Sequence, residues 1–244
     1  MKLHILGCGD AFGSGGRNQS GYLVEAGESL FLLDCGPTTL LAMKRGGHDP
    51  RRLVAVILSH LHGDHFAGLP FLFIQYLYLQ PRDRPLTIAG PPGTADRVTQ
   101  LHALMYGSGG QLKELPAVRY SVLTPGRTQM FDGLEVFPFR VTHQTDDISL
   151  GLKVAYGNKR LLFSGDAAWS DEFLEHARDV DLFLCECSFF EPQPAMHVNY
   201  RALESRLNRL ECKKLLLTHL GEDMLARRSE IIPPTAEDGM VIEL

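Results

Sequence analysis

Several strand-length apolar runs in this 244-residue chain finish on a histidine or an aspartate: AVILSH at His60, FRVTH at His143, LLFSGD at Asp166 and LLLTH at His219. Residues at strand ends line one edge of a sheet, so a fold that stacks such strands gathers these side chains into a common cleft. The first run continues as HLHGDH. His60 and His62 leave an extended chain on the same side, and Gly63 permits the sharp turn that brings Asp64 and His65 round to a second position. One short loop can thus serve two adjacent cations. Alone, His143 or His219 reads better as a capping or hydrogen-bonded strand end. Taken together, His60, His62, Asp64, His65, His143, Asp166 and His219 point to a metal centre. His4, His48, His102 and His176 have no such context and read as structural.

Periodicity points to a layered fold. Short β segments are expected at Leu3–Leu6, Tyr22–Glu25, Leu30–Leu33 and Val54–Leu58, with a helix over Thr38–Arg45. Phe66–Gln80 and Ala95–Met105 read as helices, the first apolar on nearly all sides and so buried in the core or at a subunit interface. Strands return at Tyr120–Leu123, Leu134–Val141, Ser149–Ala155 and Arg160–Phe163, with turn signals at Asp132-Gly133 and Gly157-Asn158. Helix-like Asp171–His176 and Tyr200–Leu210, a buried strand Lys214–Leu217, a helix-like Met224–Glu230 and a strand Met240–Leu244 follow. The economical packing is α/β (α+β): two sheets covered by helices on the outside, a four-layer αββα sandwich, with residues 1–244 as one domain. GCGDAFGSGG, from Gly7 to Gly16, imitates a phosphate-cradling loop. It lacks the Gly-x-Gly-x-x-Gly spacing and leads into another strand, so it reads as a turn that needs positive φ.

A formal net charge of −5, with basic residues only in pairs such as Arg51-Arg52, Lys213-Lys214 and Arg227-Arg228, offers no stripe for tracking a nucleic-acid backbone. The longest apolar stretch, Leu69–Leu79, is interrupted by Pro70 and Gln75 and falls well short of the roughly 20 residues of a spanning helix, so no membrane anchor is expected. The first residues carry no secretory pattern, which makes the cytoplasm the default expectation. Cys8, Cys35, Cys185, Cys187 and Cys212 are an odd, scattered set. They read as reduced thiols, with Cys185 and Cys187 as small buried fillers.

Imidazole and carboxylate donors without thiolate suit Zn²⁺, with Mn²⁺ or Fe²⁺ as further occupants. Two such ions about 3.5–4 Å apart bring a bridging water to near-neutral pKa and clamp both oxygens of a displacement, which is hydrolysis chemistry.

With HLHGDH as ligand loop and Asp34, His143, Asp166 and His219 at the other motif positions, nearly the whole chain resembles the metallo-β-lactamase superfamily. The resemblance implies one metal on His60, His62, His143 and Asp166 and another on Asp64, His65, Asp166 and His219, with Asp166 bridging. It makes Asp34 a hydrogen-bonding support of the ligand loop. True β-lactamases of the superfamily usually carry Cys where Asp166 stands. Glu186 in FLCECSF, His197 in PAMHVNY and GPPGT at Gly90–Thr94 resemble the ribonuclease Z-like phosphodiesterase branch. There a Glu–His pair stands beside the metals, so His197, oriented by Glu186, is expected to protonate the leaving oxygen while Asp64 accepts the water's proton.

Enzymes of that branch that process tRNA 3′ ends carry a long arm, in the short bacterial form between the third and fourth motifs. Here 22 residues separate His143 from Asp166, room for a hairpin. With the acidic net charge, this favours a small diester, and the pattern is closest to the compact cyclic-nucleotide phosphodiesterases, including the anti-Pycsar type. The competing readings are a lactone or thioester hydrolase on the same metals, a tRNA 3′-processing endonuclease, and a non-catalytic metal-binding protein. Homodimerisation fits the apolar helix and the resemblance, though a buried core helix accounts for the same residues.

Overall fold

The computed structural model describes residues 1–107, 118–193 and 196–244. Strands β1 (Lys2–Gly7), β2 (Gly21–Ala26), β3 (Ser29–Leu33), β4 (Leu53–Ile57), β5 (Leu86–Gly90), β6 (Val118–Val122) and β13 (Val241–Glu243) form one sheet in the order β13-β1-β2-β3-β4-β5-β6. A second sheet runs β12-β11-β10-β9-β8-β7, from β7 (Gln129–Phe131), β8 (Leu134–Val141), β9 (Ser149–Tyr156), β10 (Lys159–Phe163), β11 (Leu182–Glu186) and β12 (Leu215–Thr218). Pairing is parallel from β3 to β6 and from β10 to β12. Parallel neighbours need crossovers, and helices supply them: α1 (Thr39–Arg45), α2 (Gly63–Phe66), α3 (Leu69–Tyr78), α4 (Thr94–Tyr106), α5 (Glu172–His176) and α6 (Tyr200–Glu204), with α7 (Glu222–Ala226) after β12.

The two-residue period of the strands sorts their side chains between layers. Tyr22, Val24, Phe31, Leu33 and Ile57 face Val136, Leu150, Leu152 and Phe163 between the sheets. Their neighbours Leu23, Leu32 and Val56 face outward onto Met43, Leu72, Phe73 and Val98 of the helices. On the far side, Leu162, Phe183 and Leu217 pack on Phe173, Tyr200, Leu203 and Met224. The result is the expected αββα sandwich.

Three strands lie outside the sequence expectation. β5 is five residues between Pro85 and Pro91, β7 is three residues, and β11 is an unbroken apolar run without alternation because it is buried on both faces. The expected helix Phe66–Gln80 is two, broken at Gly68. A β-carbon there would collide with the Gly36 carbonyl oxygen, and Pro70 opens the second helix. Nor is that helix buried all round, since Phe71, Tyr78 and Leu79 are exposed. The helix expected over Tyr200–Leu210 stops at Glu204, where the Ser205 hydroxyl and the Arg206 guanidinium donate to the Ala202 carbonyl. The one expected over Met224–Glu230 is Glu222–Ala226 and then a 3₁₀ turn.

Arg82 is buried beneath the ring of Tyr76. It donates to the carbonyls of Leu53 at 2.6 Å, Arg51 at 3.0 Å, and Pro50 and Arg84 at 3.2 Å. Arg82→Met keeps the stem and removes those bonds, leaving the Pro50 carbonyl only the Tyr76 hydroxyl at 2.9 Å. Urea unfolding is expected to show a loss of about 2–4 kcal/mol; a loss under about 0.5 kcal/mol would mean water satisfies the carbonyls instead.

Candidate metal centre

β4 runs out through Leu58 and Ser59 to His60, and the turn of α2 then carries Asp64 and His65. His143 follows β8, Asp166 follows β10, His219 follows β12 and Asp34 follows β3. Backbone hydrogen bonds join these exits: Leu150 N–H to Ser59 O at 3.0 Å, Cys35 N–H to His65 O at 2.6 Å and His219 N–H to Cys8 O at 2.9 Å. Asp34 and His219 hold left-handed φ of 57°, unusual for residues other than glycine and a form of strain kept where the surroundings over-determine it.

All seven expected ligands come together. Ligand atoms of His60, His62 and His143 lie within 4.8 Å of one another, as do those of Asp64, His65, Asp166 and His219. Asp166 Oδ2 joins the two groups, 3.2 Å from His65 Nε2, 3.4 Å from His219 Nε2 and 3.9 Å from the Nε2 atoms of His60 and His143.

Four of the five imidazoles are oriented from behind. His65 Nδ1 donates to Asp34 Oδ2 at 2.8 Å, and His60 Nδ1 meets Ser59 Oγ at 3.0 Å, whose proton goes to the same Oδ2 at 2.8 Å. His219 Nδ1 meets Ser188 Oγ at 2.9 Å, whose proton goes to Glu186 Oε2 at 3.0 Å, and His143 Nδ1 donates to the Met196 carbonyl at 2.9 Å. With Nδ1 protonated on all four, the Nε2 lone pairs point inward.

Those inward nitrogens fit cations. The Nε2 atoms of His60 and His65 are buried without a hydrogen-bond partner, and His62 Nδ1 faces His143 Nε2 at 3.0 Å. The His65 nitrogen is within ion-pair distance of Asp64 and Asp166 but out of line for a hydrogen bond. Burial, then the neighbouring His65, push the pKa of His60 well below its ordinary value. Burial also opposes ionised Asp64 and Asp166, yet the imidazoles around them hold both carboxyls low. His65, also disfavoured by burial, is raised by Asp166, Asp34 and Asp64. The cluster thus demands positive charge at its centre, which divalent ions on oxygen and nitrogen donors would provide.

Beside the cluster, fully buried Glu186 accepts from Ala167 N–H at 2.7 Å and from His197 Nδ1 at 2.8 Å. The His197 ring lies 4.7 Å from that of His143 and stacks on His219 at 5.6 Å. Burial opposes a charged His197, and the Glu186 carboxylate overcomes it, raising the pKa to about 9. The centre opens into a cavity of about 600 Å³, also lined by Phe12 and Phe189.

Sequence reasoning named all seven residues of the cluster and missed Ser59 and Ser188, whose only signal is adjacency: one precedes His60, the other stands two residues after Glu186. It also set aside the Gly7–Gly16 stretch. That is a turn, as expected, with positive φ at Gly13, Gly15 and Gly16, but Asp10 to Phe12 and Ser14 form one wall of the cavity. His4, His48, His102 and His176 lie apart from the centre, against Glu25 or aromatic rings. Cys185 and Cys187 are buried, and burial pushes both thiols up, as suits inert fillers.

Comparison with known proteins agrees with this architecture. Probable metallo-hydrolase YhfI of Bacillus subtilis is 27% identical over 228 residues, 90% of this chain and 87% of that protein. Its crystal structure superposes with a TM-score of 0.80 over 99% of this chain and 98% of YhfI, at 22% identity. A ribonuclease Z of Methanosarcina acetivorans is 26% identical over 285 residues, 98% of this chain and 92% of the enzyme. Human tRNase Z, short form, shares the fold with a TM-score of 0.80 and 23% identity over 100% and 99% of the two chains. The family model described as anti-Pycsar protein Apyc1 matches residues 1–233. A match of that extent, on a two-sheet sandwich with this cluster at its strand ends, makes the chain a metallo-hydrolase of the metallo-β-lactamase fold that belongs to the anti-Pycsar protein Apyc1 family.

Proposed function

We propose that the chain is a phosphodiesterase for small nucleotide diesters, with 3′,5′-cyclic mononucleotides as substrates. The observation that carries this is the Glu186–His197 pair. Its imidazole Nδ1 lies 2.8 Å from Glu186, whose carboxylate favours the charged ring, and 4.0 Å from Asp166 Oδ2. Phosphodiester cleavage needs a proton for a departing alkoxide, and a histidine so oriented supplies it. A lactone or thioester hydrolase has no evident use for it.

His60, His62, His143 and Asp166 would hold one divalent ion and Asp64, His65, Asp166 and His219 the other, zinc suiting this donor set best. Such ions supply positive charge against the phosphoryl oxygens and a water acidified to near neutrality. Asp64, 3.1 Å from His65 Nε2 and 3.3 Å from His219 Nε2, takes the water's proton in this reading. His197 gives its proton to the leaving oxygen while Glu186 holds the ring. Between His143 and Asp166 the chain forms the β9–β10 hairpin, and this supports a small diester over pre-tRNA.

The test is hydrolysis by zinc- or manganese-loaded protein of cAMP, cGMP, cCMP, cUMP, bis(p-nitrophenyl) phosphate, a lactone and a thioester. Cleavage of the diesters alone is expected. Preference for the lactone or thioester would overturn the reading, and intact cyclic nucleotides beside a cleaved diester would remove the substrate choice. Asp34→Ala, which frees His65 and Ser59, is expected to weaken zinc binding about 10- to 100-fold by competition with a chromophoric chelator; unchanged affinity would assign Asp34 to folding alone.

Five cysteines without a disulfide fit a cytoplasmic setting, and among the described residues no helix is long and apolar enough to span a membrane. Exposed Phe71, Tyr78 and Leu79 on and beside α3 support a homodimer, which light scattering would register as twice the chain mass.

A further inference from the structure

Phe12 is 91% exposed, the most exposed large apolar residue among those described, yet its loop is tightly pinned. The Asp10 carboxylate accepts from Phe12 N–H at 3.1 Å, Ser14 N–H at 2.9 Å and Ser14 Oγ at 2.7 Å, and Glu222 Oε1 accepts from Gly15 N–H at 3.1 Å. A ring held out in water by so many bonds is not a fraying tip. It stands on the wall of the cavity that opens from the metal cluster, and Phe189, whose ring is 6.0 Å from that of His197, lines the same cavity.

The charge around this mouth is one-sided. The described residues lining the cavity include no lysine or arginine, whereas Asp10, Glu222 and Asp223 contribute carboxylates fixed by backbone N–H groups. Beyond the cluster and the His197 ring that serves the phosphate, no described lining side chain offers positive charge to a second anionic group, and three fixed negative charges oppose one.

Resting on the phosphodiesterase reading, we propose that Phe12 and Phe189 form an aromatic subsite, bordered by Asp10, Glu222 and Asp223, that takes the flat, uncharged arm of a diester whose only anion is its phosphate. Phe12 is its specificity-determining residue. Stacking a planar group on the exposed ring buries apolar area on both partners, and ring stacking of this kind is sequence-tolerant because every flat heterocycle presents a face.

Binding of unreactive diesters tests this without turnover. Zinc-loaded protein is titrated by calorimetry with diphenyl phosphate, diethyl phosphate and bis(4-carboxyphenyl) phosphate. Wild type is expected to bind diphenyl phosphate at least about tenfold more tightly than diethyl phosphate, and Phe12→Ala to remove most of that preference while leaving diethyl phosphate within about twofold. Phe12→Trp should retain it. The dicarboxylate, of the same shape with two more charges, should bind at least about tenfold more weakly than diphenyl phosphate, with Glu222→Gln narrowing the gap. An aromatic preference absent in wild type or unchanged in Phe12→Ala would overturn the subsite, and equal binding of the dicarboxylate would overturn its charge selection. Hydrolysis of bis(p-nitrophenyl) phosphate, measured separately, reports on the phosphodiesterase reading alone.

Discussion

Asp166→Ala is expected to lower metal content from about two ions per chain to one or none and to reduce kcat/KM on any diester by at least about a thousandfold. The size follows from the position of a single oxygen. Asp166 Oδ2 is the one carboxylate atom shared between the His60–His62–His143 group and the Asp64–His65–His219 group. Its loss leaves inward imidazole nitrogens around a gap, with Asp64 the one carboxylate left among the seven proposed ligands to offset two divalent charges. Several kcal/mol of transition-state stabilisation depend on those charges, and each 1.36 kcal/mol is about a factor of ten in rate. Elemental analysis of the purified variant and steady-state rates on bis(p-nitrophenyl) phosphate would check both parts. Two ions retained with activity within about tenfold of wild type would mean that the shared oxygen is not what holds the centre together.

His197→Ala is expected to divide substrates by leaving group. On a cyclic nucleotide, whose alkoxide needs a proton, kcat should fall about 10²- to 10⁴-fold; on a p-nitrophenyl diester, whose phenolate departs unaided, it should fall less than about tenfold. Metal content should stay at the wild-type level, because His197 is outside both ligand groups of the proposed centre. Glu186→Gln should follow the same split more weakly, since the amide can still accept from Nδ1 but no longer stabilises the imidazolium. Equal losses on both substrates would make His197 part of the binding or metal apparatus, and unchanged turnover of the cyclic nucleotide would remove it from the reaction.

How much of this was legible beforehand differs by feature. The inward and outward faces of β2, β3 and β4 follow from alternation, since Leu23, Leu32 and Val56 must part from their neighbours whatever the partner layer is. β11 escaped notice for the opposite reason: buried on both faces, LFLCE carries no period to detect. The break at Gly68 was invisible because it answers to Gly36, 32 positions earlier in the chain.

The same division runs through the site. Chain order alone determined which residue types end the apolar runs, and strand geometry obliges such ends to share an edge, so the seven candidate ligands could be named without coordinates, and Asp34 came from the family resemblance they carry. Tertiary packing alone decided that four imidazoles turn Nδ1 outward, that Ser59 and Ser188 link His60 and His219 to Asp34 and Glu186, and that a loop set aside as a mere turn carries Phe12 to the cavity mouth. The reason is range. Periodicity records a local choice between two faces, whereas a ring's tautomer and a loop's destination are set by hydrogen bonds to residues far away in sequence, which no local pattern encodes.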